Sequence, residues 1–199
     1  MISHKLRFIY IHPNKCGGRS IEKFFRDKKV SSMKGSDRPS NGPTKADHRS
    51  LIYWQHKYPD LYPTYFKWSI VRNPWDRIVS WWKSPMWRGQ ARQRKRKWKT
   101  LREYVKDVNN PGGHHLFSSR WFLDTKGKIG LDFIGKLENI EEDFKEVCDT
   151  VGIPYQKLPH VGKTKEGSPY WEYYDEESKN IIYERNKDII ERFGYEFGK

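Results

Sequence analysis

Cysteine is scarce. The 199-residue chain has two, Cys16 and Cys148, too few for a disulfide framework and without the spacing of a zinc site. Long apolar runs are missing as well. No stretch approaches the ~20 residues needed to cross a bilayer and no secretory leader is visible, so the expectation is a soluble, cytoplasmic protein without a membrane span. The nucleotide-triphosphatase loop G-x-x-x-x-G-K-[ST] occurs nowhere, which argues against an ATPase or kinase of that class. No cluster of histidine, cysteine and carboxylate suggests a metal. Acidic residues are in the minority: 25 Asp plus Glu against 39 Lys plus Arg give a net charge of +14. Such a field favours anionic partners, whether nucleotide, nucleic acid, sulfated or phosphorylated glycan or membrane surface, without choosing among them.

Aromatic residues are plentiful, at 16%, which excludes a disordered basic tail. The length suits one α/β domain over residues 1–199, and strand and helix patterns alternate without an internal repeat. The short β-branched and aromatic runs Phe8–Ile11, Phe66–Val71 and Phe133–Gly135 read as strands of a central parallel sheet flanked by helices. Helical periodicity covers Trp75–Lys83, Trp98–Val108, Ile140–Val151 and about Glu176–Phe193. Between these lie two polar loops, near residues 31–46 and 85–97, of a length that more often serves as lid or binding loop than as idle linker.

The stretch FIYIHPNKCGGRSIEKFF, residues 8–25, joins the first strand to a helix with Ile21, Phe24 and Phe25 on one face. A helix start presents unpaired amides and the positive end of its dipole, so it welcomes an anion. Gly17 and Gly18 permit close backbone approach, Lys15 brings a mobile charge, and Arg19 and Ser20 add donors in the first turn. The same residues also read as a tight turn with an incidental lysine.

A second strand-to-helix junction lies in FKWSIVRNPWDRIVSWW, residues 66–82. Asn73 suits an N-cap, Pro74 the first helical position and Asp76 the first turn. Arg72 stands at the strand's carboxyl end, where open α/β sheets bind ligands, and Ser80 follows about 9 Å along the helix at ~1.5 Å per residue. A guanidinium fork and a hydroxyl suit one phosphate. Alternatively Arg72 pairs with Asp76 and Ser80 merely packs.

Taken together, the two junctions resemble the sulfotransferases that use 3′-phosphoadenosine-5′-phosphosulfate (PAPS). NKCGGRS is similar to their 5′-phosphosulfate loop PKxGGTS, and RNPWDRIVS matches their 3′-phosphate motif RNPxxRxxS, with the same eight-residue step from Arg72 to Ser80. DFIGKLENIEEDFKEV and IIERFGYEF also resemble later segments of the family, so the likeness covers most of the chain and is closest to the carbohydrate-type branch. Asn14 stands where the family usually has proline, and Arg19 where threonine is common.

The resemblance implies a P-loop-like sulfotransferase fold and sulfuryl transfer from PAPS to an acceptor hydroxyl, leaving 3′-phosphoadenosine-5′-phosphate (PAP), without a metal. It implies that Lys15, Cys16, Gly17, Gly18, Arg19 and Ser20 hold the 5′-phosphosulfate, with Lys15 stabilising the charge that develops in transfer. Arg72 and Ser80 would hold the 3′-phosphate. Lys163, with Lys165, would belong to a late loop over the nucleotide. The base is most simply a histidine, and His48 resembles the one that many members place between the two phosphate motifs. His12 lies close enough to the loop to orient Lys15 or the donor, and His114 and His115 suit an acceptor pocket. The acceptor class favoured is a glycan.

Trp81, Trp82, Trp87 and Trp98 flank the basic insert, as stacking faces for a sugar or as core. The run Arg88–Lys99 reads as a solvated charged face or as a footprint for an acidic acceptor. Its other reading, a nucleic-acid-binding protein, gives no reason for paired phosphate motifs, so no nucleic acid is expected.

Overall fold

The computed structural model describes residues 1–30, 49–83, 98–107, 119–161 and 168–199. In chain order the elements are β1 (Ile2–Ser3), β2 (Phe8–Ile11), α1 (Gly18–Asp27), α2 (Leu51–Lys57), β3 (Phe66–Val71), α3 (Pro74–Trp82), α4 (Leu101–Lys106), β4 (Phe133–Lys136), α5 (Ile140–Thr150) and α6 (Glu176–Phe193). They gather into two compact units, Met1–Val71 with Ser119–Gly162, and Arg72–Ser118 with Lys163–Lys199. The polar stretches 31–46 and 85–97 lie outside the described residues.

The first unit is built on a four-stranded sheet in the order β1-β2-β3-β4. Strands β2, β3 and β4 run parallel, with Tyr10 opposite Trp68 and Ile70 opposite Gly135. The expectation of a parallel sheet holds for these three. It is corrected at the edge, where β1 pairs antiparallel with β2, Ile2 against Ile9. A two-residue strand carries no readable period, which is why the sequence did not reveal it.

Both faces of the sheet are covered, so β2 reads as an unbroken apolar run. Phe8, Tyr10, Trp68 and Ile70 share one face, and they pack with Ile21, Phe24 and Phe25 of α1 and Phe144, Val147 and Cys148 of α5. Phe144 meets the Phe24 ring edge to face at 4.9 Å, and Tyr10 lies 4.4 Å from Trp68 between ring centres. Asp132 sets the register at the start of β4. Its carboxylate accepts from the Lys67 amide at 2.7 Å and pairs with the Lys67 ammonium at 2.8 Å, while its own N–H donates to the Lys67 carbonyl.

In the second unit α3 and α4 pack on α6, and α3 also meets the turn Tyr170–Tyr173. α6 begins in a capping box, with Asp175 accepting from the Ser178 amide at 2.8 Å and Ser178 accepting from the Asp175 amide at 3.1 Å. Its ends match the sequence reading, but it breaks at Asn186, whose backbone is non-helical (φ −125°, ψ 19°). There the Asn186 side-chain amide donates to the Ile182 carbonyl at 2.9 Å, a side-chain bond at the kink. α4 is shorter than its expected span because Thr100 caps it, accepting from the Glu103 amide at 3.2 Å. Trp98 stays outside that helix, its indole donating to Asp107. Trp81 and Trp98 are both buried, as core; Trp82 is half-buried against Tyr173, and Trp87 is outside the described residues. Among the described residues no helix is long and apolar enough to cross a membrane.

Phe144 is fully buried where α1, α5 and the sheet meet. Phe144→Ala should therefore cost about 3–5 kcal/mol, seen as a fall in the urea midpoint with little change in slope. A loss below about 1 kcal/mol would contradict this packing.

Candidate functional site

The loop after β2 is shaped by two left-handed residues. Lys15 has φ 67° and Gly17 φ 76°, with Cys16 between them at negative φ. Such alternation turns successive amides toward one side and makes a concavity suited to an anion. For Gly17 the conformation carries no steric penalty, whereas for Lys15 it costs on the order of 1–2 kcal/mol, strain of the kind that collects at working sites. Helix α1 then starts at Gly18 with no side chain capping it, so its first amides and positive dipole end face the loop. Lys15 is half-buried, Cys16 buried and Arg19 exposed.

Neither glycine has room for a side chain. A Cβ on Gly17 would fall 2.8 Å from Leu137 Cδ1, and one on Gly18 would fall 2.0 Å from both Cδ2 and Nε2 of His12. His12 is buried, and its Nδ1 lies 2.7 Å from Glu22 Oε1 on α1. Ser20 Oγ accepts from the Val161 amide at 3.2 Å, which leaves the hydroxyl proton to be donated elsewhere. Below, Tyr10 stacks near His12, and its buried hydroxyl has no hydrogen-bond partner among the described residues. Burial first, then the neighbouring Glu22 and Cys16, hold that phenol well above its ordinary pKa, so it stays protonated.

At the second junction Arg72 and Asp76 form an ion pair. Arg72 Nε and Nη2 both donate to Asp76 Oδ2, at 2.9 and 2.7 Å. Ser80 is buried on α3. Asn73 is the N-cap, accepting from the amides of Trp75 at 3.1 Å and Asp76 at 3.4 Å, and its own amide donates to the Glu196 carbonyl at 3.1 Å and the Tyr170 hydroxyl at 3.2 Å.

A model of the sulfotransferase family matches residues 1–196. The chain belongs to the sulfotransferase family. No curated protein and no solved structure matches it. Membership makes it a sulfuryl-transferring enzyme that uses PAPS by family.

In this sulfotransferase Lys15, Cys16, Gly17, Gly18, Arg19 and Ser20 are contiguous in one loop and one helical turn of the first unit. Arg72 lies just ahead of α3 and Ser80 on it, both in the second unit. His48, Lys163, Lys165, His114 and His115 lie outside the described residues. Sequence reading did not find Leu137, Glu22 or Val161. They reach the loop from elsewhere in the chain or across ten positions, and no local pattern signals such contacts. The Asn73 bonds to Tyr170 and Glu196 were equally hidden.

Asn73→Asp tests how the RNP segment is held. The cap acceptor survives and α3 gains a favourable charge, but the donors to Glu196 and Tyr170 are lost and a carboxylate is buried against a carbonyl. A net loss of about 1–3 kcal/mol in chemical denaturation is expected. Unchanged or increased stability would mean that the cap alone matters.

Proposed function

We propose that this sulfotransferase moves the sulfuryl group from PAPS to a hydroxyl of a carbohydrate acceptor by in-line displacement, and that residues 1–199 serve as one sulfotransferase domain. The observation that carries the reading is the glycine loop at the start of α1, with Lys15 held left-handed ahead of it. It is supported by a family match that runs over residues 1–196 and so includes both phosphate motifs. The glycan acceptor rests on the likeness to the carbohydrate-type branch and on the net charge of +14, which suits anionic sugars.

In the proposed step the bond between sulfur and the bridging phosphate oxygen breaks as a bond from the acceptor oxygen to sulfur forms, and PAP leaves. The acceptor proton goes to His48, the base that the family pattern suggests. Negative charge grows on the bridging oxygen, where the Lys15 ammonium and the amides of Gly17, Gly18 and Arg19 would meet it. Ser20 would donate its hydroxyl proton to the same group. Arg72 and Ser80 would take the 3′-phosphate, with Asp76 holding the guanidinium in place, and Lys163 would add charge over the nucleotide. The scheme calls for no metal.

Two measurements test this. PAP should bind far more tightly than AMP or ATP in calorimetry, because charge-assisted contacts to the 3′-phosphate are each worth about 1.5–3 kcal/mol. Arg72→Ala should abolish the preference, and equal affinities of the wild type for all three nucleotides would refute it. With labelled PAPS and a panel of glycan acceptors, His48→Ala should lower turnover by roughly 10²- to 10⁴-fold with donor affinity nearly unchanged. Lys15→Ala should lower both, since the lysine would meet the phosphosulfate in ground and transition states. Near-normal turnover in His48→Ala would exclude that histidine as base.

A further inference from the structure

Glu22 is the only acid in the first two turns of α1, beside a loop that otherwise presents cations and amides. By Coulomb's law a carboxylate there opposes an incoming phosphate. Its position is explained by what it touches. Glu22 Oε1 lies 2.7 Å from Nδ1 of His12, and the two side chains are 11% and 3% exposed. A carboxylate only accepts, so this bond puts a proton on Nδ1 and fixes the ring plane. The opposite edge of the same ring, Cδ2 and Nε2, fills the space that a Cβ on Gly18 would need, 2.0 Å from where that atom would stand. Gly18 opens α1, and its amide with that of Arg19 heads the helix.

We propose that His12 and Glu22 form a positioning pair for the donor. Glu22 orients the imidazole, and the imidazole braces Gly18 so that the leading amides of α1 stand where the 5′-phosphosulfate is received. Neither side chain touches the reacting atoms. The inference rests on the reading of the loop as the donor's 5′ site. Its distinctive consequence is a matter of sign. Were Glu22 only a nearby negative charge, removing that charge would strengthen anion binding; as the orienting partner of His12, its neutralisation weakens binding.

The test is calorimetric titration of the full chain with PAP, using Glu22→Gln, His12→Ala and the double variant, each checked by circular dichroism and thermal melting. Glu22→Gln is nearly isosteric and should keep the fold, yet bind PAP roughly 10-fold more weakly. In assays with PAPS it should raise KM for the donor by a similar factor and also lower kcat, because the displaced amides would meet the phosphosulfate in ground and transition states alike. His12→Ala should weaken PAP binding at least as much, and adding Glu22→Gln to it should change nothing more, because Glu22 acts through the ring. Glu22→Asp should recover part of the loss. Unchanged or tighter PAP binding in Glu22→Gln overturns the proposal, as do additive losses in the double variant. A wild-type protein that fails to bind PAP instead overturns the reading of the loop itself.

Discussion

No side chain fits at residues 17 and 18, and the architecture of the first unit follows from that closure. Leu137, just after β4, occupies the space beside Gly17, and His12, just after β2, occupies the space beside Gly18. Two parallel strands thus deliver a side chain each to the same turn, and α1 can start only where those side chains allow. The packing beneath makes the position firm. Phe24 and Phe25 anchor α1 to Phe144 of α5 and to the sheet, so the helix cannot retreat from the loop without opening the core. Backbone strain at Lys15 is sustained because the segments on either side are held this way.

Charge is handled by local pairing within a strongly basic chain. Arg72 is held by Asp76, Lys67 by Asp132 and His12 by Glu22. Each acid sits near a group whose direction matters more than its neutralisation. Solvent-exposed ion pairs add little to stability, and the pairs at Arg72 and Lys67 fix where a guanidinium and an ammonium point. The field of the chain, at +14, remains available for attracting anions.

Much of this was legible in the sequence where the signal is local. β2 and β3 were found to the residue because β-branched and aromatic runs bounded by Pro, Asn and Arg leave little choice. The ends of α6 follow from the Asp175 cap and Gly194, and the Arg72–Asp76 pair is an ordinary i,i+4 neighbour. The NKCGGRS and RNPWDRIVS stretches were visible as spacings. What escaped depends on contacts distant in the chain or on one or two residues. Edge strand β1 is two residues long, the break in α6 lies in the backbone of the single residue Asn186, and the bond between Ser20 and Val161 spans 141 positions. His12 was noticed for its proximity to the loop, but its tie to Glu22 needed the register between β2 and α1.

The two adjacent glycines are constrained by different physics, and their evolutionary prospects differ accordingly. Gly17 is fixed by handedness: its φ of 76° disfavours any L side chain, whatever surrounds it. Gly18 is excluded only by a neighbour, since its own backbone is ordinary and the obstacle is the His12 ring. A lineage could admit alanine at residue 18 once residue 12 had become small, so change there is contingent on history, whereas residue 17 stays closed on every path. In a family comparison the first glycine should therefore vary least, and departures at the second should travel with the loss of the histidine.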